Sequence, residues 1–166
     1  MNLNWTCGCC GGSFDSLPMN YAFEAPSNWF GLTESDRAIR AKLSQDVCLI
    51  DQKELYIRGC LEIPVLDSPE IFVWGVWTSV SKDTFLYVHK MWNAEIADDE
   101  LPRFGWLCNW ISGYPEPHEI RCHIFLRSGN LRPRIVLEPT DYPLALEQRH
   151  GITLERIKQI AAASHS

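Results

Sequence analysis

Cys7-Gly8-Cys9-Cys10-Gly11-Gly12 is the stretch of this 166-residue chain whose residue types and spacing point most directly to chemistry. A C-x-x-C pair lets two thiolates bind one tetrahedral metal ion, and the glycines that follow let the turn fold back on itself. Cys7 and Cys10 thus form half of a zinc site, and two more ligands are required. Cys9, Cys60, His118 and His123 are the eligible partners, and the set expected to hold the metal is Cys7, Cys10, Cys60 and His123. Two readings stand side by side: one structural zinc ion on this knuckle, or a Cys-rich arm packed on the body without metal. A redox role has less support. An attacking thiol is activated at a helix N-terminus, and Gly-Gly-Ser-Phe-Asp-Ser-Leu-Pro does not begin a helix.

The other candidate side chains depend on the strands that carry them. Residues 47–65 read as two β-rich runs around the polar loop Asp51 to Glu54, a hairpin. Pairing Asp51 with Glu54 sets Cys48 opposite Ile57 on an apolar face, and Cys60 on the polar face with Tyr56, Arg58 and Glu62. Arg58, Cys60 and Glu62 could line a cleft, and Glu62 with Glu138 and Asp141 could supply a carboxylate pair for acid-base work or a metal. The plainer role is a solvated sheet face, or an Arg-carboxylate pair that fixes a loop. Alternation over 119–127 turns Cys122 inward with Ile120 and Ile124, and His123 outward with Arg121. Cys108, between Trp106 and Trp110, reads as packing. Trp74 and Trp77 point to opposite faces of one strand, so either both faces are covered or one is an interaction surface.

These strands sit among helices marked by their caps. Thr33 with Asp36 starts a helix expected over 33–44, with Ile39 and Leu43 on its apolar stripe. Ser81 caps another, with Phe85, Val88, His89 and Trp92 at helical spacing. Thr140 or Asp141 caps a short helix that has Pro143 in its first turn and stops at Gly151, and Thr153 begins the last one. Further strands are expected over Ile71–Ser79, Phe104–Trp110, Glu119–Arg127 and Pro133–Glu138. The expected fold is α+β: a mainly antiparallel sheet with about four helices. It forms one domain over 1–166, with an irregular Cys-rich N-terminal arm (1–31) and an α+β body (32–166).

Several motifs together give the chain a family likeness: Cys7-x-x-Cys10-Gly11 with Leu17-Pro18, Arg58-Gly59-Cys60-Leu61-Glu62-Ile63-Pro64-Val65, Trp74-Gly75-Val76-Trp77, Phe104-Gly105-Trp106-Leu107, Gly113-Tyr114-Pro115, and Leu137-Glu138-Pro139-Thr140-Asp141 with Pro143-Leu144-Ala145. On these residues the chain resembles a bacterial family catalogued as domain of unknown function 2199, over nearly its whole length. The resemblance leads one to expect a His shortly after the Cys pair, where Ser13-Phe14-Asp15 stands instead. It implies no established activity, so no catalytic residue is carried over.

Composition narrows the function classes. Fifteen Lys plus Arg against 21 Asp plus Glu give a formal charge of -6, which disfavours nucleic acid and anionic membranes as partners. MNLNWTCGCC lacks the features of a signal peptide, and the longest apolar run, 71–80, is half of what a membrane helix needs, so a cytoplasmic protein is expected. Phosphate-loop, dinucleotide, zinc-protease and nucleophile-elbow motifs are absent from the sequence. The leading expectation is a non-catalytic protein-binding module, in one version an immunity or antitoxin-like protein that blocks a basic toxin domain. A small metal-dependent enzyme using Cys60, Glu62 and His123 is the first alternative. The second is a carbohydrate or small-ligand binder on the Trp-bearing strands. Arg58, Glu62, Trp74, Trp77, Glu138 and Asp141 are the candidate binding residues.

Overall fold

The computed structural model describes residues Trp5–Thr6, Ser13–Phe14 and 16–164. In chain order the elements are β1 (Trp5–Thr6), β2 (Ser13–Phe14), β3 (Asn20–Ala22), α1 (Ser27–Phe30), α2 (Glu34–Arg40), β4 (Ala41–Leu43), β5 (Val47–Ile50), β6 (Glu54–Pro64), β7 (Ile71–Val80), α3 (Lys82–Met91), β8 (Arg103–Leu107), β9 (Arg121–Phe125), β10 (Arg134–Leu137), α4 (Pro143–His150) and α5 (Leu154–Ser164). β1 and β2 pair with each other, and the remaining eight strands form one sheet. Among the described residues no helix is long and apolar enough to cross a membrane.

The mainly antiparallel α+β sheet expected from the sequence is not what forms, because the sheet closes on itself. β6, β7, β8, β9 and β10 close into a five-stranded mixed barrel, with β3, β5 and β4 added beside it. The physical reason is directional. Each step from β6 to β10 is antiparallel, so after four reversals the fifth strand runs the same way as the first. Closure must then be parallel, and β10 meets β6 in that sense at Arg134 and Cys60. The Cys60 amide donates to the Pro133 carbonyl at 2.8 Å. Gly59 makes this approach sterically feasible, since a Cβ there would lie 2.5 Å from Ile135 Cγ1 and 2.9 Å from the Pro133 oxygen.

Beyond this contact β10 leaves β6, and a side chain fills the seam. The Leu137 amide donates to Gln148 Oε1 at 2.8 Å, while Gln148 Nε2 donates to the carbonyls of Ile135 at 2.9 Å and Glu62 at 3.4 Å. The primary amide of Gln148 on α4 thus does the work of a missing stretch of strand.

Alternation now separates two sides. Leu61, Ile63, Phe72, Val76, Ile124 and Ile135 fill the barrel, and Leu144, Ala145, Ile157 and Ala161 of α4 and α5 belong to the same buried cluster. A second cluster of Cys48, Ile50, Tyr56 and Trp77 packs outside the barrel against Phe23, Trp29, Leu32 and Cys108. Both Trp74 and Trp77 are therefore covered, at 5% and 0% exposure.

Other expectations are corrected locally. The helix expected over 33–44 ends at Arg40, because Ala41–Leu43 instead pairs with β5 and Arg40 grips Asp51 through two hydrogen bonds of 2.9 and 2.8 Å. Its supposed apolar stripe is not buried, since Ile39 is 82% exposed. The β5–β6 register is shifted by one, with Ile50 opposite Glu54 and Cys48 opposite Tyr56. The left-handed residues Asp51 and Gln52 set that tight turn. Neither Thr140 nor Asp141 caps α4; the position before Pro143 is Tyr142, whose amide bonds the Thr140 hydroxyl. The caps at Thr33 and Ser81 form as expected, and Thr153, expected to begin the last helix, accepts from the Arg156 amide at 3.1 Å. Cys7, Cys9 and Cys10 of the Cys-rich arm lie outside the described residues.

Two outcomes test this architecture. Replacing Gln148 by Leu strands a buried amide and carbonyls at the seam, and should lower unfolding free energy by about 2–3 kcal/mol in urea titration. Burial pushes the thiols of Cys48 and Cys108 up to about 11. The folded chain therefore keeps these protons to higher pH than the unfolded chain, whose thiols titrate near about 8.5. The stabilisation is complete below about pH 8.5 and is lost as pH rises toward about 11, so the urea midpoint should fall over that interval.

Candidate functional site

The period-2 alternation that fills the barrel also decides what its outer wall carries. β9 buries Cys122 and Ile124 and turns Arg121, His123 and Phe125 outward. β8 buries Gly105 and Leu107 and presents Phe104 and Trp106. β10 presents Arg134 and Val136, and β6 presents Arg58, Cys60 and Glu62. Register aligns these groups in rows: Cys60, Arg134 and Phe125 in one; Val136, His123 and Phe104 in the next; Arg121 with Trp106 in the third. Most sequence-predicted candidates in the body thus share one continuous wall.

The wall divides into two parts. On the β6 side the charges are spent on tethering. Arg127 bonds Glu62 at 2.9 Å while its Nε holds the Arg132 carbonyl at 2.8 Å, fixing the 127–132 loop. Arg132 in turn bonds Asp46 at 2.7 Å. Arg58 donates to the Gln45 carbonyl at 3.1 Å, and burial, reinforced by the neighbouring Arg132 charge, lowers its pKa. Cys60 is half-buried among them.

Across β8, β9 and β10 the cations Arg121 and Arg134 are open to solvent and lie over rings. The Arg121 guanidinium is 5.3 Å from the Trp106 ring centre and 5.6 Å from that of Phe104. Arg134 sits 4.8 Å over Phe125. Phe104 is 42% exposed, and its ring meets Trp106 edge-on at 5.1 Å. The cation-ring distances all fall inside the range where the ring quadrupole attracts a cation. His123 Nε2 lies 3.7 Å from Glu138 Oε1, an ion pair when the imidazole is protonated. At one end of the wall a cleft of about 350 Å³ runs between Phe125, Arg127 and Arg134 on one side and Asp98 and Glu100 on the other.

The remaining candidates lie elsewhere. Trp77 is held inside the second cluster, its indole donating to the Phe23 carbonyl at 2.8 Å, and Trp74 lies at the barrel core. Asp141 is exposed in the turn before α4. His118 is exposed beside Glu116. Cys60 and His123 share the outer wall with β10 between them. Cys7 and Cys10, the other expected zinc ligands, lie outside the described residues, and among the described residues no group of three His, Cys, Asp or Glu is arranged to hold a metal.

Phe104, Trp106, Arg121, Phe125 and Arg134 were not singled out as a site from the sequence. The signal was present: if Cys122 and Ile124 face inward, then 121, 123 and 125 face outward together. Knowing that β8 and β10 flank β9 was the missing part. Chemically the surface offers guanidinium donors for carboxylate oxygens and flat apolar rings beside them.

Comparison with curated proteins and with solved structures yields no match. A family model does match, over residues 6–152. The chain belongs to DUF2199, a family described as uncharacterized protein conserved in bacteria.

Proposed function

We propose that this chain is a non-catalytic protein-binding module that receives an acidic segment of its partner on the β8–β9–β10 wall. The observation that carries this reading is the solvent-open pair Arg121 and Arg134, each lying over a ring and, among the described residues, in ion-pair contact with no carboxylate. Arginine and aromatic residues are the types that dominate binding energy at protein interfaces, and a guanidinium already ordered over a ring loses less freedom on binding. An immunity-type role founded on net charge would call for a basic partner. The local charge of this wall favours an acidic one, because close complementarity is decided within a Debye length of about 8 Å. The overall charge of -6 repels long polyanions, which favours a short acidic peptide over nucleic acid.

The test is fluorescence anisotropy with a labelled Asp/Glu-rich peptide, a Lys-rich peptide and a single-stranded oligonucleotide. The acidic peptide should bind the native protein best, and R121E/R134E should weaken it by about tenfold or more, with K53E as a control that changes nothing. Tighter binding of the Lys-rich peptide, or equal binding by R121E/R134E, would overturn the reading.

A further inference from the structure

Apart from the wall, a cavity of about 270 Å³ opens between β3, Trp74 in the first half of β7, the 111–114 turn and α5. Its floor is made by buried Trp74, Ile111, Tyr114 and Ile160, and its rim by the exposed Ser112 and Gln159. Such a place, apolar with a few polar groups at its edge, is the usual form of a small-molecule site.

Two buried polar atoms in this lining stand out. Trp74 and Tyr114 are 5% and 6% exposed, yet among the described residues neither Trp74 Nε1 nor the Tyr114 hydroxyl has a partner at ordinary hydrogen-bond geometry, the hydroxyl lying beside the Glu147–Arg156 pair. An indole N–H can only donate, and leaving a buried donor unmatched is costly unless something supplies the acceptor. Two neighbouring groups are already engaged. The Trp110 indole bonds the Tyr114 carbonyl at 2.9 Å, which fixes the turn and the ring. Arg156 lies along the Tyr114 ring at 5.5 Å and is held by Glu147 through contacts of 3.2 and 3.4 Å. The cationic charge beside the cavity is thereby already balanced.

We infer that this cavity binds a small apolar molecule bearing a neutral oxygen acceptor, such as a ketone, ester or amide, whose oxygen takes the Trp74 and Tyr114 donors. Its hydrocarbon body rests on Phe23, Ile111 and Ile160. Charge selects the class. A carboxylate would find its natural cation occupied by Glu147, whereas a carbonyl needs only the uncharged donors on offer. Burial holds the Tyr114 hydroxyl protonated, pushing its pKa up to about 12, so it serves as a donor at neutral pH.

The probes are acetophenone, ethylbenzene and benzoate: one apolar body with a carbonyl, with none, and with a charge. Binding is read from the indole N–H resonance of Trp74 in NMR titrations of the full chain. Acetophenone should bind about tenfold more tightly than ethylbenzene and benzoate, and should move that resonance downfield. Tyr114→Phe removes one donor at nearly constant volume, and Arg156 and Glu147 keep their bonds to each other, so it should fold as well as the native chain. It should weaken acetophenone several-fold and leave ethylbenzene unchanged. Equal binding of acetophenone and ethylbenzene, tighter binding of benzoate, no binding of any probe, or a Tyr114→Phe variant that holds acetophenone as before would each overturn the inference.

Discussion

The parallel seam between β6 and β10 governs the rest of this molecule. Four antiparallel steps bring the chain around, and closure then depends on one narrow contact at Gly59, Cys60 and Arg134, extended by the side-chain amide of Gln148. Without it the five strands would be an open sheet, with β6 and β10 showing unpaired backbone. With it there is an inside and an outside, and every side chain on those strands is committed to one of them. The hydrophobic cluster and the outer wall of cations and rings are consequences of the same closure. A one-residue slip at the seam would exchange them.

A second constraint acts at Trp77. Its backbone amide donates to Asn109 Oδ1 at 2.7 Å and its indole to the Phe23 carbonyl, while Asn109 Nδ2 donates to the Ala25 carbonyl at 3.0 Å. Asn109 is fully buried, so these bonds satisfy a polar side chain that would otherwise be costly there. They also tie the 23–25 segment to β7 and to the strand end after β8. The small outer core of Cys48, Ile50 and Tyr56 is thus clamped onto the barrel by polar contacts placed around one indole.

Local features were legible in the sequence because their causes are local. The caps at Thr33, Ser81 and Thr153, the hairpin at 51–54, Pro143 at a helix start, Gly151 at its end and the inward turn of Cys122 all follow from neighbours a few residues away. What could not be read was set by distant partners. Residues 41–43 continue a helical pattern yet become a strand because β5 is beside them. Closure of the sheet rests on Arg134 meeting Cys60, and no periodicity encodes that pairing. The same distinction applies to the site. Arg58, Glu62, His123 and Glu138 could be chosen by residue type and alternation, but the grouping of Phe104, Trp106, Arg121, Phe125 and Arg134 needed the order of three strands.

Closure also bears on how this protein behaves at high concentration. A sheet invites other chains through strands whose backbone lacks a partner, and barrels remove most of that invitation. Among the described residues, the flanks left on the eight-stranded sheet are β3 and β4, three residues each. Strands so short offer little template for intermolecular ladders. The long, strongly apolar β7, which as an isolated segment would be prone to amyloid-like stacking, is enclosed by β6 on one side and by β3 and β8 on the other. The fold thus shelters its stickiest segment, and self-association into fibres requires the barrel to open first.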